Sequence, residues 1–271
     1  LQITSFLIQC HFKELDDINQ ETKGDFELEW LDEGLLLRTK PHGESNLIAT
    51  FFTQHHGLAT GYVRINKKYP LQPGNLYHIR NKSRLESHLG LYTVEQHETF
   101  APIICAALVA PIKLACINAI RALLITSLID HDTKEEFYLD LKLHIHEICL
   151  QSKLGNYVLF EKDLLMHCGF GLDLSRCAVT NSRKNLAYVS PKTGRAVVES
   201  IGTPYKDQLF KLPAPLYLSK NAWSTSEILE GLKITGHFLN RMLLDQLHRK
   251  VPPEREYLMK LIATSKDTHV I

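Results

Sequence analysis

Residues 45–85 never sustain an apolar run long enough for a helix face before a glycine or proline interrupts it. Short runs such as Leu47-Ile48-Ala49, Tyr62-Val63-Arg64-Ile65 and Leu76-Tyr77-His78-Ile79 are separated by Gly57, Gly61, Pro70, Pro73 and Gly74. That pattern predicts short strands joined by tight turns. Residues 30–38 upstream and 89–94 downstream each supply one more strand. About five short strands in roughly 65 residues fit a small closed barrel.

The same stretch holds no Asp or Glu, yet it carries Arg64, Lys67, Lys68, Arg80, Lys82 and Arg84, with Arg38 and Lys40 on the strand before it. In a chain of 271 residues whose formal net charge is only +1, affinity for a polyanion has to come from such a patch. Phe51, Phe52, Tyr62, Tyr69 and Tyr77 are interleaved with the cations. A groove for single-stranded nucleic acid needs both, since phosphates attract cations and unstacked bases need aromatic faces. The expected contact set is Arg38, Lys40, Tyr62, Arg64, Lys67, Lys68, Tyr77, Arg80, Lys82 and Arg84. The competing reading is a solvated basic face over a barrel whose aromatics only fill its core.

Six cysteines (Cys10, Cys105, Cys116, Cys149, Cys168 and Cys177) form no C-x-x-C pair and no regular spacing. This argues against a disulfide framework or a zinc ribbon and for reduced thiols. The most apolar region, residues 99–129, is interrupted by Pro102, Pro111, Lys113, Asn118 and Arg121, so no uncharged run reaches the roughly 18 residues a bilayer demands. It reads as buried helices. Residues 3–10 are apolar, but no positive charge precedes them and no small-residue cleavage site follows.

Residues 1–27 hold the acidic cluster Glu14, Asp16, Asp17 and read as a peripheral extension to a barrel domain spanning 28–100. From 101 to 271 the periodicity turns helical: Ile104, Leu108, Ile112, Ala115, Ala119 and Leu123 surround a pair of helices divided by Pro111. Phe137, Leu141, Ile145 and Ile148 mark another helix, and residues 157–168 form one that ends at Gly169. Residues 169–218, rich in Pro and Gly, read as loop. Residues 225–247 and a segment opening at Pro252-Pro253-Glu254 give the last helices. The predicted fold class is α+β, a β-barrel followed by a helical domain with a loop-rich insertion.

No arrangement demands a catalyst. His146 and Cys149 share a helical face, but His144 points elsewhere and no fourth metal ligand lies nearby in sequence. Gly169-Phe170-Gly171 follows a helix, whereas phosphate-binding loops lie between a strand and a helix. Neither G-x-S-x-G nor H-E-x-x-H occurs.

Two blocks of residues carry a family resemblance. The first runs through Trp30-Leu31-Asp32-Glu33-Gly34, His42-Gly43-Glu44-Ser45, His56-Gly57 and Leu71-Gln72-Pro73-Gly74-Asn75. The second comprises Gly169-Phe170-Gly171-Leu172-Asp173-Leu174-Ser175-Arg176-Cys177, Leu186-Ala187-Tyr188-Val189-Ser190-Pro191, Gly194-Arg195-Ala196-Val197 and Leu232-Lys233-Ile234-Thr235-Gly236-His237-Phe238-Leu239. Together they resemble the bacterial recombination mediator family RecO, in its alphaproteobacterial form, across about residues 28–262. The resemblance implies an OB-fold barrel, binding of single- and double-stranded DNA and annealing of complementary strands. It further implies action with RecR, and with RecF in some contexts, to load RecA onto strands coated by single-strand-binding protein (SSB). Such a protein works in the cytoplasm at the nucleoid, consumes no nucleotide, makes or breaks no covalent bond and is no enzyme. The resemblance also implies a pocket for the acidic, Phe-ending SSB tail with an apolar floor and a basic rim, for which Lys113, Arg121, Lys233, Arg241, Arg249 and Lys250 are available.

The sequence departs from the family in three places. Many relatives place two C-x-x-C pairs around zinc after the Gly-Phe-Gly turn; here Cys177 is followed by Thr180, and the second pair falls on Gly194, Arg195, Ala196 and Val197. The zinc site is therefore expected to be lost, and no cofactor is expected. The barrel is shortened between Arg64 and Pro73, where relatives carry a longer Arg-rich loop. Relatives tend to begin at Met-Glu-Trp, and Leu28-Glu29-Trp30 stands in that place, so residues 1–27 are expected to be dispensable. A scaffold whose barrel binds only protein, and a hydrolase, are the competing functions; the acid-free stretch disfavours the first and the lack of a motif the second.

Overall fold

The computed structural model describes residues 28–83, 89–129, 133–218 and 222–265. The N-terminal extension and Arg84 lie outside them.

Five strands, β1 (Leu28–His42), β2 (Asn46–Thr53), β3 (Gly57–Arg64), β4 (Leu76–Ser83) and β5 (Gly90–Gln96), close a barrel in the order β1-β2-β3-β5-β4. All neighbours are antiparallel except β3 and β5. This is the OB-fold arrangement. Gly61 and Gly90 face each other where β3 meets β5. A Cβ at Gly61 would lie 2.5 Å from the Tyr92 ring, so glycine permits the close approach that completes the barrel.

Leu36, Ala49, Phe51, Ala59, Val63, Tyr77, Ile79 and Tyr92 fill the interior. On β1 the run Leu35-Leu36-Leu37 is buried throughout, which strict alternation does not allow for a strand with one wet face. The helices resolve it by covering the outer face of β1 here, and a bulge follows between Leu36 and Arg38. Leu36 points into the barrel, Leu35 and Leu37 join the larger core outside it, and the extra residue re-aims Arg38 and Lys40 outward.

The helical part comprises α1 (Ala101–Leu108), α2 (Pro111–Ser127), α3 (Glu135–Gln151), α4 (Gly155–His167), the four-residue α5 (Glu199–Gly202), α6 (Thr225–Phe238) and α7 (Pro253–Thr264). Pro111 at the first turn of α2 separates it from α1, as the sequence indicates. α6 opens with a capping box in which the Ser224 hydroxyl accepts from the Glu227 amide while Glu227 accepts from the Ser224 amide. No single helix among the described residues is long and apolar enough to cross a membrane. α1 and α2 have the length only jointly, are bent by 120°, and bury Ile104, Ile117, Ile120 and Leu124 in the core.

Residues 169–218 are not simply loop. They contain β6 (Asp173–Cys177), β7 (Leu186–Val189), β8 (Arg195–Val198) and β9 (Phe210–Lys211), forming a sheet in the order β6-β8-β7-β9. Strands of two to five residues carry too little periodicity to be read against so many Pro and Gly. The sheet packs on α6, where Lys211 pairs with Glu230 at 3.1 Å and the His237 ring lies 3.0 Å from the Pro191 carbonyl.

Barrel and helices share one core. Leu35, Leu37, Phe52, Leu58 and Leu76 project from the barrel into the cluster built by α1 to α4, α6 and α7. Arg121 on α2 donates from Nε and Nη2 to the Leu37 carbonyl at 2.8 and 2.6 Å. Glu33 on β1 accepts from Tyr138 (2.9 Å) and Lys142 (2.6 Å) on α3, and its other oxygen lies 2.8 Å from His97 Nε2. Burial works to raise the Glu33 carboxyl, but the hydrogen bonds from His97 and Lys142, the Lys142 charge and the Tyr138 hydroxyl overcome it and hold the group at about 2. Deeper in the helices, Glu161 accepts Arg255 Nε and Nη2 at 2.7 and 2.9 Å, and accepts the Thr235 hydroxyl as well.

Candidate nucleic-acid interface

Beyond the bulge, the outward side chains of β1, β2 and β3 form one continuous face. Arg38 stands opposite Thr50, and its Nε donates to Thr50 Oγ1 at 3.3 Å; Thr50 is in turn 3.1 Å from the Thr60 hydroxyl. The next level pairs Lys40 with Ile48 and Ile48 with Tyr62. The level after that holds His42, Asn46 and Arg64, with the His42 ring 5.0 Å from that of Tyr62. No outward position on these levels is acidic.

The middle level continues round the barrel. Tyr62 is in register with Leu91 of β5, which is 40% exposed, and Leu91 with Lys82 of β4. Ile48, Tyr62 and Leu91 therefore make an apolar and aromatic row with Lys40 at one end and Lys82, itself opposite Glu29, at the other, and Arg38 and Arg64 lie on either side of it. This arrangement suits stacked bases in the middle and phosphates at the edges. Lys67 and Lys68 extend the cationic rim in the exposed turn after β3. Asn66 Oδ1 accepts from the Lys68 and Tyr69 amides there, and the Ile65 amide donates to the Ser45 carbonyl, tying the turn to the β1–β2 hairpin.

Two of the expected contacts are otherwise engaged. Tyr77 is only 4% exposed: its ring packs edge-on against Phe51 inside the barrel and its hydroxyl accepts from the Gln72 amide, so it cannot stack on a base. Its parity on β4 is the reason, since alternate positions Tyr77, Ile79 and Asn81 turn inward. Arg80 points outward, but its side chain is 11% exposed and its Nε pairs with Glu29 at 3.3 Å, spending its charge within the protein. Sequence reasoning missed His42, Ile48 and Leu91. Only the strand register shows that they border Tyr62.

His144 and Cys177, weighed as metal donors in the sequence, are otherwise engaged. Among the described residues no group of three or more His, Cys, Asp or Glu is placed to hold an ion. His144 is taken up between Asn156 and Asp163 on α4. Cys177 is buried, and its Sγ accepts from the amides of Val179, Thr180 and Val198 at 3.4, 3.5 and 3.4 Å. Burial raises its pKa, and the Thr180, Val198 and Val179 donors outweigh that and bring it down to about 7. Thr180 and residues 194–197 supply no further thiolate, so the four-ligand zinc site of the relatives does not fit these residues.

A cavity of about 250 Å³ lies where the ends of α2 and α4 meet the turn after α6, floored by Leu128, Ile129, Phe170, Leu243 and Leu247. Lys134 lines it. Arg249 adjoins it, donating to the Thr126 carbonyl at 2.6 Å. The other cations named from sequence do not all converge there. Arg121 serves the barrel junction, Lys113 donates to the Cys149 carbonyl and Arg241 to the Pro191 carbonyl.

Two family models match the chain, "Recombination protein O N terminal" over residues 28–102 and "Recombination protein O C terminal" over residues 110–250. The chain belongs to the recombination protein O family. The DNA repair protein RecO of Cereibacter sphaeroides is 41% identical over 241 residues, covering 87% of this chain and 99% of that protein. The RecO proteins of Rhodospirillum centenum and Wolbachia pipientis are 36% and 35% identical, covering 84% and 86% of this chain and 92% and 98% of their own lengths. Membership supports a role in DNA repair and recombination. The first family model covers the barrel, and the second takes in the cavity and the sheet of β6 to β9.

Proposed function

We propose that the chain is a recombination mediator that binds single- and double-stranded DNA through the outer face of β1, β2 and β3 and anneals complementary strands without chemistry of its own. The observation that carries this reading is the outward face of β1 to β3, free of acidic residues at these levels, in which Ile48 and Tyr62, with Leu91 beside them, are flanked by Arg38, Lys40 and Arg64. It combines the cations and the stacking surface that a protein-only scaffold would not need. Lys67 and Lys68 add phosphate contacts at the rim.

In this role the protein works with RecR, and with RecF in some contexts, to let RecA replace SSB on exposed strands at the nucleoid. The cavity between α2 and α4 is the proposed seat of the SSB tail. Its apolar floor suits a terminal phenylalanine, and Lys134 and Arg249 suit the acidic residues before it. No zinc is assigned to the sheet in this role, because Cys177 stands without partner thiolates among the described residues.

Filter binding of a single-stranded oligonucleotide at two salt concentrations tests the central claim. Affinity that falls with salt by about 0.7 log unit per phosphate contact, and that Arg38→Ala with Arg64→Ala weakens, supports it. Salt-independent or undetectable binding overturns it.

A further inference from the structure

A second acid-free stretch lies far from the barrel. Residues 174–198 contain Arg176, Arg183, Lys184, Lys192 and Arg195 and no Asp or Glu. They build most of the sheet of β6 to β9. Asp173, at its entrance, pairs with Arg195 at 3.2 Å, and Glu199 stands at its exit, its amide donating to the Asn185 carbonyl, so one exposed carboxylate stands against four remaining cations.

Their placement is ordered. Arg183 and Lys184 are exposed in the turn between β6 and β7. That turn is fixed by the left-handed Asn181 and Asn185 and by the amides donated to Cys177 Sγ. Arg176 joins them through its hydrogen bond to Asn181 Oδ1 at 3.3 Å. Lys192 is exposed at the opposite end of the β7–β8 hairpin, in the turn whose Pro191 carbonyl accepts Arg241 Nη1 at 2.9 Å. Each strand of the hairpin is four residues, about 13 Å at 3.3 Å per residue, and the two groups lie beyond its opposite ends.

Among the longer helices, the sheet's main packing partner is α6. The barrel rests on α2 and α3, α4 packs on α3, α6 packs on α4, and the sheet packs on α6.

We propose that the sheet of β6 to β9 is a second binding surface for a nucleic-acid backbone, and that it holds a second strand while the barrel holds the first. This rests on the DNA-binding reading of the barrel. The contacts are to phosphate, so the site is indifferent to sequence. Annealing requires two strands to be bound at once, and two distinct basic surfaces, one on the barrel and one on the sheet, meet that requirement.

The test uses the full chain and two non-complementary dT oligonucleotides carrying a donor and an acceptor dye. Energy transfer at limiting protein reports both strands on one complex. The variant Arg183→Ala/Lys184→Ala/Lys192→Ala is expected to keep binding of the first strand, to weaken capture of the second at least tenfold, and to slow annealing of complementary strands. The salt slope of the second event should flatten by about 2, from three contacts at 0.7 each. An Arg183→Glu/Lys184→Glu variant should do the same more strongly, and circular dichroism confirms that each remains folded. Folded variants with unchanged two-strand capture and annealing rate overturn the inference while leaving the barrel reading intact. A parent protein that binds no oligonucleotide overturns both. Displacement of the second strand by polyglutamate at equal charge concentration would instead assign the sheet to acidic protein and also overturn the inference.

Discussion

Tyr62, Glu33 and Arg255 show how differently single residues are committed. Tyr62 is half-exposed in the middle of the proposed DNA face, and Tyr62→Leu should cost about 1–3 kcal/mol of single-strand binding with the salt slope unchanged, because it removes stacking and no charge. Glu33 is pinned at about 2 by groups from α3 and by His97, against an ordinary value of 4.5. A carboxyl with a depressed native pKa contributes stability that is fully present above about pH 4.5 and is lost as pH falls towards 2. The parent should lose about 2–3 kcal/mol through that window, from about 1.4 kcal/mol per unit. Glu33→Gln should be less stable at neutral pH and should lose less through the same window, as urea midpoints at several pH values will show. Arg255 and Glu161 form a buried pair, 5% and 0% exposed. Removing one partner strands the other charge, so Arg255→Leu should cost about 3–5 kcal/mol in equilibrium unfolding. Glu161→Gln/Arg255→Leu should recover part of that loss.

The outer face of β1 to β3 is where charges act together. Arg38, Lys40, Arg64 and Lys67 replaced by Ala should weaken binding alike for all sequences and flatten the salt slope by about 3 if each meets one phosphate. A folded quadruple variant with the parent's slope would mean that this face is only solvated. The sheet of β6 to β9 is held by packing of Leu174, Val189 and Ala196, by the Arg195–Asp173 pair and by the amides on Cys177 Sγ. It should therefore melt at the same temperature with and without a chelator, and elemental analysis of the purified protein should find no stoichiometric zinc. Stoichiometric zinc, or a chelator-dependent melting temperature, would refute this. Cys177→Ala should destabilise by removing the acceptor of three buried or half-buried amides.

Across the whole molecule, barrel and helices stand or fall together. Leu35, Leu37, Phe52, Leu58 and Leu76 are between 0% and 6% exposed because they face the helices, so a fragment ending at residue 100 would expose them all. Such a fragment should aggregate or unfold, observable by light scattering and circular dichroism, even though the change from strand to helix suggests a separable module. Arg121→Met keeps the apolar stem but leaves the Leu37 carbonyl unpaired at the junction. It should cost about 1–3 kcal/mol in a single cooperative transition. Separate barrel and helix transitions would contradict the shared core.

Short apolar runs broken by Gly and Pro, and later an apolar period of three to four residues, determined on their own that a small barrel precedes helices, because local patterning reports which side of each element is buried. The acid-free stretch likewise located the basic barrel, and the block from Gly169 to Cys177 carried the family. What each side chain faces was decided only by tertiary structure. Tyr77 and Tyr62 have the same composition-level claim to a base, and strand parity and register put one inside and the other out. Arg38 reaches the surface through a bulge that no propensity announces. Arg80 meets Glu29, distant in sequence, across β1 and β4. The sheet within residues 169–218 forms because α6 offers it an apolar bed, a long-range contact that strands of two to five residues cannot signal themselves.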